Sequence, residues 1–365
     1  MPDFIKGLEL SRLFFREAVG PLLEAEFPGL RYAAALLGTG SEVLGFDDRV
    51  STDHGWGPRL ELFFEEEDFS EVSPRVSDAL ARKLPYSFRG YPTSFTEPDP
   101  TDNGVQHLMA KEAGPVRHKV EPTTARRFFL NYLAFDIDAE IEPADWLTFP
   151  EQKLRTVARG RIFHDRVGLE EVRARFAYYP RDVWLYVLAS AWARVGQEEH
   201  LMGRAGIVGD EIGSALVGAR LVRDLMRLCF LMERTYAPYP KWFGTAFARL
   251  ACAEKLSPHL RAALAAATWR EREGHLCAGY EAVAEMHNAL GLTAPLPTRP
   301  RDFYGRPFRV VALHGFADAL LARVRDERVR RVAARGLIGS LDQFSDSTDL
   351  VSHAGWRATL RKLYE

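Results

Sequence analysis

Residues Gly38–Phe64 read GTGSEVLGFDDRVSTDHGWGPRLELFF. Two glycines and a serine open the stretch, acids and a histidine fill its middle, and an apolar run closes it. The preceding run RYAAALL (31–37) is stopped by the glycines and predicts a buried strand. RLELFF (59–64) predicts a second strand, with Leu60, Leu62 and Phe64 alternating against Glu61 and Phe63. Glycines after a strand leave backbone N–H groups free to face an anion, and a following helix would add its dipole. Gly38, Gly40 and Ser41 are therefore candidate phosphate-binding residues. Asp53, just before a strand, is a candidate carboxylate for a divalent ion arriving with the phosphate, because hard oxygen ligands hold Mg2+. An anion cradle, metal-binding acids and an in-line nucleophile are the parts that phosphoryl-type transfer needs.

Working outward, residues 5–27 predict an amphipathic helix ended by Pro28-Gly29. Ser73-Pro74 predicts a helix start, with serine as the cap and proline at the first helical position, running to about Lys83. Pro85–Gly114 is rich in Pro, Gly, Asp and Thr and predicts a long loop that could serve as a lid. VRHKVE (116–121) predicts a strand, after which Thr123 or Thr124 caps a helix reaching about Leu133. Beyond Asp136 apolar positions recur at helical spacing. In 210–235, Leu221, Leu225, Leu228 and Met232 step by 4, 3 and 4 on one face, and Arg220, Arg223, Arg227 and Arg234 step by 3, 4 and 7 on another. The expected organisation is a domain over residues 1–135 and a helical domain over 136–365.

The chain has 365 residues, 47% apolar and 27% charged, with a net charge of -2. That is ordinary for a soluble globular protein and gives no general case for nucleic-acid or membrane binding. Cys229, Cys252 and Cys277 are scattered through helix-like segments, which reads as reduced intracellular thiols. Charges from Asp3 onward interrupt any signal-peptide centre, and no apolar run approaches a membrane span. A cytoplasmic protein with no membrane partner is expected.

Leu36-Leu37 running into Gly40-Ser41, then eleven residues, then Asp53 before RLELFF resembles the DNA polymerase β-like nucleotidyltransferase superfamily. More closely, GSEVLGFDD, STDH, WGPRL, DWLTFPEQKL, GRIFHD, RLVRDLMRLCFLMERTYAPYPKW and GSLDQFSDSTD resemble the DUF4037 family of nucleotidyltransferase-like proteins. The resemblance implies an α+β fold, with a small mixed sheet flanked by helices and a mostly α-helical C-terminal domain closing a cleft. It implies a nucleoside triphosphate, with ATP the expected donor, Mg2+ or Mn2+, and transfer of a nucleoside monophosphate to an acceptor hydroxyl. The acceptor is open among small molecules, RNA and proteins.

The superfamily's second metal acid would fall at position 55, which is Gly55. Asp47 or Asp48 is the candidate replacement; the alternatives are a one-metal site and a binding module without catalysis. Glu121, at the end of VRHKVE, matches the position of a third acid and is the second candidate catalytic and metal residue; it reads equally as a strand-end surface acid. By the same resemblance Lys241, with Arg227 and Arg234, is expected to reach the triphosphate, since guanidinium and ammonium groups bind phosphate oxygens. The competing reading is a helix face paired with Asp224 and Glu233. Arg159 and His164 also form an Arg-x4-His pattern, which would suit an RNA-cleaving helical protein or a buried imidazole. Glu198-Glu199 is a candidate base for an acceptor hydroxyl. Tyr236, Tyr239, Trp242 and Phe243 suit base stacking or corner packing.

Overall fold

A computed structural model describes residues 3–52, 55–102 and 104–365. The chain divides into two compact units, 1–140 with 153–177, and 141–152 with 178–365. The domain break is expected after residue 135; the leading segment of the first unit runs to Glu140. The first unit also takes in 153–177, because a strand in that segment completes its sheet.

Among the described residues of the first unit the main sheet has four strands, β1 (Ala33–Leu36), β2 (Arg59–Phe64), β3 (Lys119–Thr124) and β4 (Arg161–Asp165). Their spatial order is β3-β2-β1-β4. β1 is antiparallel to both neighbours and β2 is parallel to β3, so the sheet is mixed. Pro122 cannot donate to a ladder, and its place on the edge strand β3 accommodates that. This is the α+β fold class expected from the sequence, with flanking helices and a largely helical second unit.

The two faces of the sheet have different coverings. Leu60, Leu62, Phe64, Val120 and Ala34 pack with Leu10, Phe14, Leu23, Val76 and Leu80 from helical residues. Ala33, Ala35, Leu37 and Phe63, on the other face, pack with Leu169, Phe128 and Ile162. The first helix runs over Gly7–Phe14 and Gly20–Glu26 with a wider turn, Phe15–Val19, between them. Pro21 has no N–H for the carbonyl four residues back, and Gly20 N–H instead bonds the Phe15 carbonyl five residues back.

Three local expectations are corrected. The helix expected from Ser73-Pro74 begins at Glu66 and holds Pro74 inside it (Glu66–Lys83). Glu66, Glu67 and Asp68 suit a helix N-terminus, and burial of Val76 and Leu80 outweighs the hydrogen bond that Pro74 forfeits. The 85–114 segment is braced by short strand pairs, Ser87–Phe88 with Tyr91–Pro92 and Ser94–Phe95 with Leu108–Met109. GRIFHD lies on β4, not on a helix, so the Arg-x4-His pattern has no helical context; the His164 ring lies 4.6 Å from the Tyr32 ring. Thr124 does cap the helix Ala125–Leu133, accepting the Arg127 N–H at 3.1 Å.

In the second unit the long helices Arg181–Ile207, Glu211–Met232 and Trp269–Ala289 carry the core, with Trp192 stacked on Phe316 at 4.1 Å. Among the described residues no helix is long and apolar enough to cross a membrane.

Candidate phosphate and nucleotide site

β1 ends at Leu36, and the chain turns through Gly38 (φ +77°) and Gly40 (φ +152°). Both angles favour glycine, and at Gly40 space adds a second constraint. A Cβ there would lie 2.6 Å from a Glu42 carboxylate oxygen and 2.7 Å from an Arg59 guanidinium nitrogen. Residues 41–45 form a turn closed by Phe46 N–H to Ser41 O (2.9 Å), so no helix dipole follows the glycines.

Strand register then assembles a charged row. Arg59 is paired with Lys119, and Glu61 with Glu121, across the parallel β2–β3 ladder, so all four side chains share a face. Ala35 stands opposite Glu61 on β1, and its small side chain leaves room beside the glycine turn. Arg59 donates to Glu42 at 2.9 Å and to the Thr39 carbonyl at 2.6 Å, which fixes the turn to the sheet. Glu61 is 8% exposed and accepts the Leu37 N–H at 3.0 Å. Burial pushes its carboxyl up to about 7, opposed by Arg59 and the Leu37 N–H and assisted by Glu121. Burial, then the nearby Arg59, lowers the Lys119 ammonium. Glu121 is exposed.

The structure thus brings Gly38, Gly40 and Glu121 to one end of one sheet face and adds Arg59, Glu61, Glu42 and Lys119. The sequence signal for the added residues was present: Arg59 and Glu61 are charged positions inside a strand whose other residues are apolar. Alternation alone places them opposite Leu60 and Leu62, and only the ladder with β3 shows that this second face carries a row of charges as well as packing.

Asp53 lies outside the described residues. Asp47 is fully buried and committed to the first helix, accepting from Gly7 N–H at 2.6 Å and from Trp56 Nε1–H at 3.1 Å. Asp48 is exposed and closes its own turn, accepting from the Val50 N–H at 2.9 Å and the Ser51 N–H at 3.0 Å. Those hydrogen bonds lower its carboxyl. Among the described residues no three His, Cys, Asp or Glu side chains converge to hold a metal ion. The described donors around the glycine turn do not fit a divalent centre: Glu42 is paired with Arg59, Glu61 is buried beside the same guanidinium, and of these three carboxylates Glu121 alone is exposed.

The second unit's candidates stand in different company. Arg220 pairs with Glu198, and Arg223 with Asp346 at 2.6 Å. Arg227 stacks on Phe243 at 5.5 Å and faces the buried Asp342. Arg234 lies over Tyr178 (4.9 Å) and Trp184 (4.7 Å). Lys241 is exposed, 5.1 Å from the Trp242 ring. Tyr236 is buried against Tyr178 and Tyr179, and Phe243 lies 5.3 Å from Phe230, so both rings pack. Glu199 is buried and accepts the Val311 and Ala312 N–H groups at 2.7 and 3.1 Å. His200 stacks on Phe303 at 4.4 Å.

Residues 146–243 match the model of the family described as Domain of unknown function (DUF4037). This bears out the DUF4037 resemblance, over a segment that includes GRIFHD and RLVRDLMRLCFLMERTYAPYPKW. The glycine turn and β2 lie outside the matched residues. No curated protein matches the chain. Among solved structures, a nucleotidyltransferase-like protein from Exiguobacterium sibiricum 255-15 is similar at 11% identity over 87% of this chain and 89% of its own, with a TM-score of 0.27.

Proposed function

We propose that the chain is a nucleotidyltransferase-like protein that takes the phosphates of a nucleoside triphosphate at the Gly38–Ser41 turn. One observation supports this reading above others: the glycine turn is tied by Arg59 to the end of the sheet face that also carries Lys119, Glu61 and Glu121. Two cations and two carboxylates beside a glycine turn suit a charged, phosphate-bearing ligand better than an apolar one. In the transfer reading an acceptor hydroxyl attacks the α-phosphorus, the bond from that phosphorus to its bridging oxygen breaks, and pyrophosphate leaves. The hydroxyl proton passes to a carboxylate of the row. Glu61 is matched to that task, since burial holds its carboxyl near neutrality. The Mg2+ or Mn2+ expected from the sequence would rest on Asp53, which lies outside the described residues, and no step is assigned to it. The proposed site uses residues of the first unit alone, and no role in it is assigned to Lys241, Arg227 or Arg234. The acceptor is a small molecule, an RNA or a protein hydroxyl.

A second reading, nucleotide binding without turnover, is favoured by Gly55, where the superfamily's second acid is absent. Thermal melting with each of ATP, GTP, CTP and UTP, with and without Mg2+, tests the common part. A ligand that binds only the folded chain raises the melting temperature by mass action. A rise for at least one triphosphate, reduced in Lys119→Met and Asp53→Ala, is expected. No rise with any of the four under either condition overturns the proposal. Pyrophosphate release in the presence of candidate acceptors then separates transfer from binding alone.

A further inference from the structure

Gly55 lies beside the ammonium of Lys119. A Cβ built on Gly55 would stand 2.8 Å from Lys119 Nζ. Position 55 is where the resemblance puts a second carboxylate, so a lysine ammonium occupies the space that carboxylate would enter. Lys119 is half-buried, with its ammonium 5.4 Å from the Phe95 ring. Among the described residues no carboxylate lies within ion-pair distance of it, although Glu121 and Glu42 are close enough to favour its charge. Its strand partner Arg59 is already tied to Glu42 and to the Thr39 carbonyl of the glycine turn. One cation is therefore fixed at the turn, and a second stands next to it with no carboxylate of the described residues in ion-pair distance. A half-buried ammonium in that position is stabilised by an incoming anion, and a triphosphate brings several oxygens to it.

We infer that Lys119, set beside the glycine turn that Arg59 holds in place, is a resident cation that binds the phosphates of the ligand in place of a divalent ion, so the chain holds a triphosphate without added metal. This rests on the nucleotide reading above and specifies the charge that serves it. Gly55 is the permissive residue: a carboxylate there would neutralise Lys119 and restore the need for a metal. Aspartate tolerates positive φ better than most side chains, so Gly55→Asp is a workable test at φ +65°.

The experiment is isothermal titration of the full chain with ATP and with inorganic triphosphate, in EDTA and in Mg2+. The triphosphate isolates phosphate recognition from base preference. The expected result is binding in EDTA with an affinity within about threefold of that in Mg2+. Lys119→Met should weaken EDTA binding by about tenfold or more, the loss of one charge-assisted hydrogen bond, and Lys119→Arg should restore most of it. Gly55→Asp should weaken EDTA binding similarly while folding normally by circular dichroism. Binding that appears only when Mg2+ is added overturns the inference and leaves the nucleotide reading standing. Unchanged EDTA affinity in folded Lys119→Met and Gly55→Asp also overturns it, because the phosphates then lie elsewhere. Absence of binding in both EDTA and Mg2+ removes the nucleotide reading itself.

Discussion

Arg59, Glu61, Lys119 and Glu121 come from two strands far apart in sequence, and ladder register puts them side by side on one face. Arg220, Arg223 and Arg227 come from a single helix, Glu211–Met232, at helical spacing. From sequence the helix looks the richer anion site. In the structure its arginines face acids and rings of their own unit: Glu198, Asp346, Asp342 and Phe243. The sheet row has one guanidinium committed to shaping a backbone turn and one ammonium lacking a described carboxylate within ion-pair distance. Regular spacing of charge thus shows only that a helix has a polar face. The proposed site rests on charge held beside the glycine turn, which strand pairing supplies.

The strongest way to break this contrast is Arg59→Ala. It leaves Glu42 buried without its partner and frees the Thr39 carbonyl, so a loss of about 3–5 kcal/mol is expected, read by urea unfolding. A loss below about 1 kcal/mol would mean the guanidinium does not organise the turn. Gly40→Ala tests the turn itself. Its positive φ and the 2.6–2.7 Å approach of Glu42 and Arg59 predict destabilisation of about 1–3 kcal/mol and weaker triphosphate binding.

The second unit gives a pH comparison. Burial pushes Glu199 up to about 7, with the Val311 and Ala312 N–H groups opposing the rise. Its folded-state value lies above the unfolded one, so its contribution is full below about pH 4.5 and is lost as pH rises through about 7. Glu199→Gln should flatten the stability profile across that window by on the order of 1 kcal/mol or more. An unchanged profile in urea melts at stepped pH would show that Glu199 does not titrate there. The smallest effect is expected for Arg223→Ala. Its ion pair with Asp346 is partly solvated, so stability should change by less than about 1 kcal/mol. Triphosphate affinity should not change; a tenfold loss would return the helix arginines to the ligand site.

Some features were legible in the chain because they are local. RYAAALL and RLELFF are strands, the glycines between them make the turn, and Thr124 caps its helix, each as neighbouring residues dictate. Glu121 was legible as a strand-end acid, and the ladder sets it opposite Glu61. GRIFHD was not legible as a strand, because a short mixed run surrounded by helical periodicity becomes β4 only by pairing with β1. Pro74 misled for a related reason: a proline normally marks a first turn, and tertiary burial of Val76 and Leu80 kept the helix running through it.

By itself, the sequence determined the α+β class, the glycine turn and the long helices, since backbone propensity and apolar period act over a few residues. Tertiary structure decided which charges stand together and which are buried. Whether Glu61 is a surface alternation or a buried carboxylate near neutrality depends on the strand beside it. Whether Gly55 is merely a missing acid or the space beside Lys119 depends on a side chain from a distant strand. Electrostatic character is set by what surrounds a group, and in a sheet those surroundings come from remote parts of the chain.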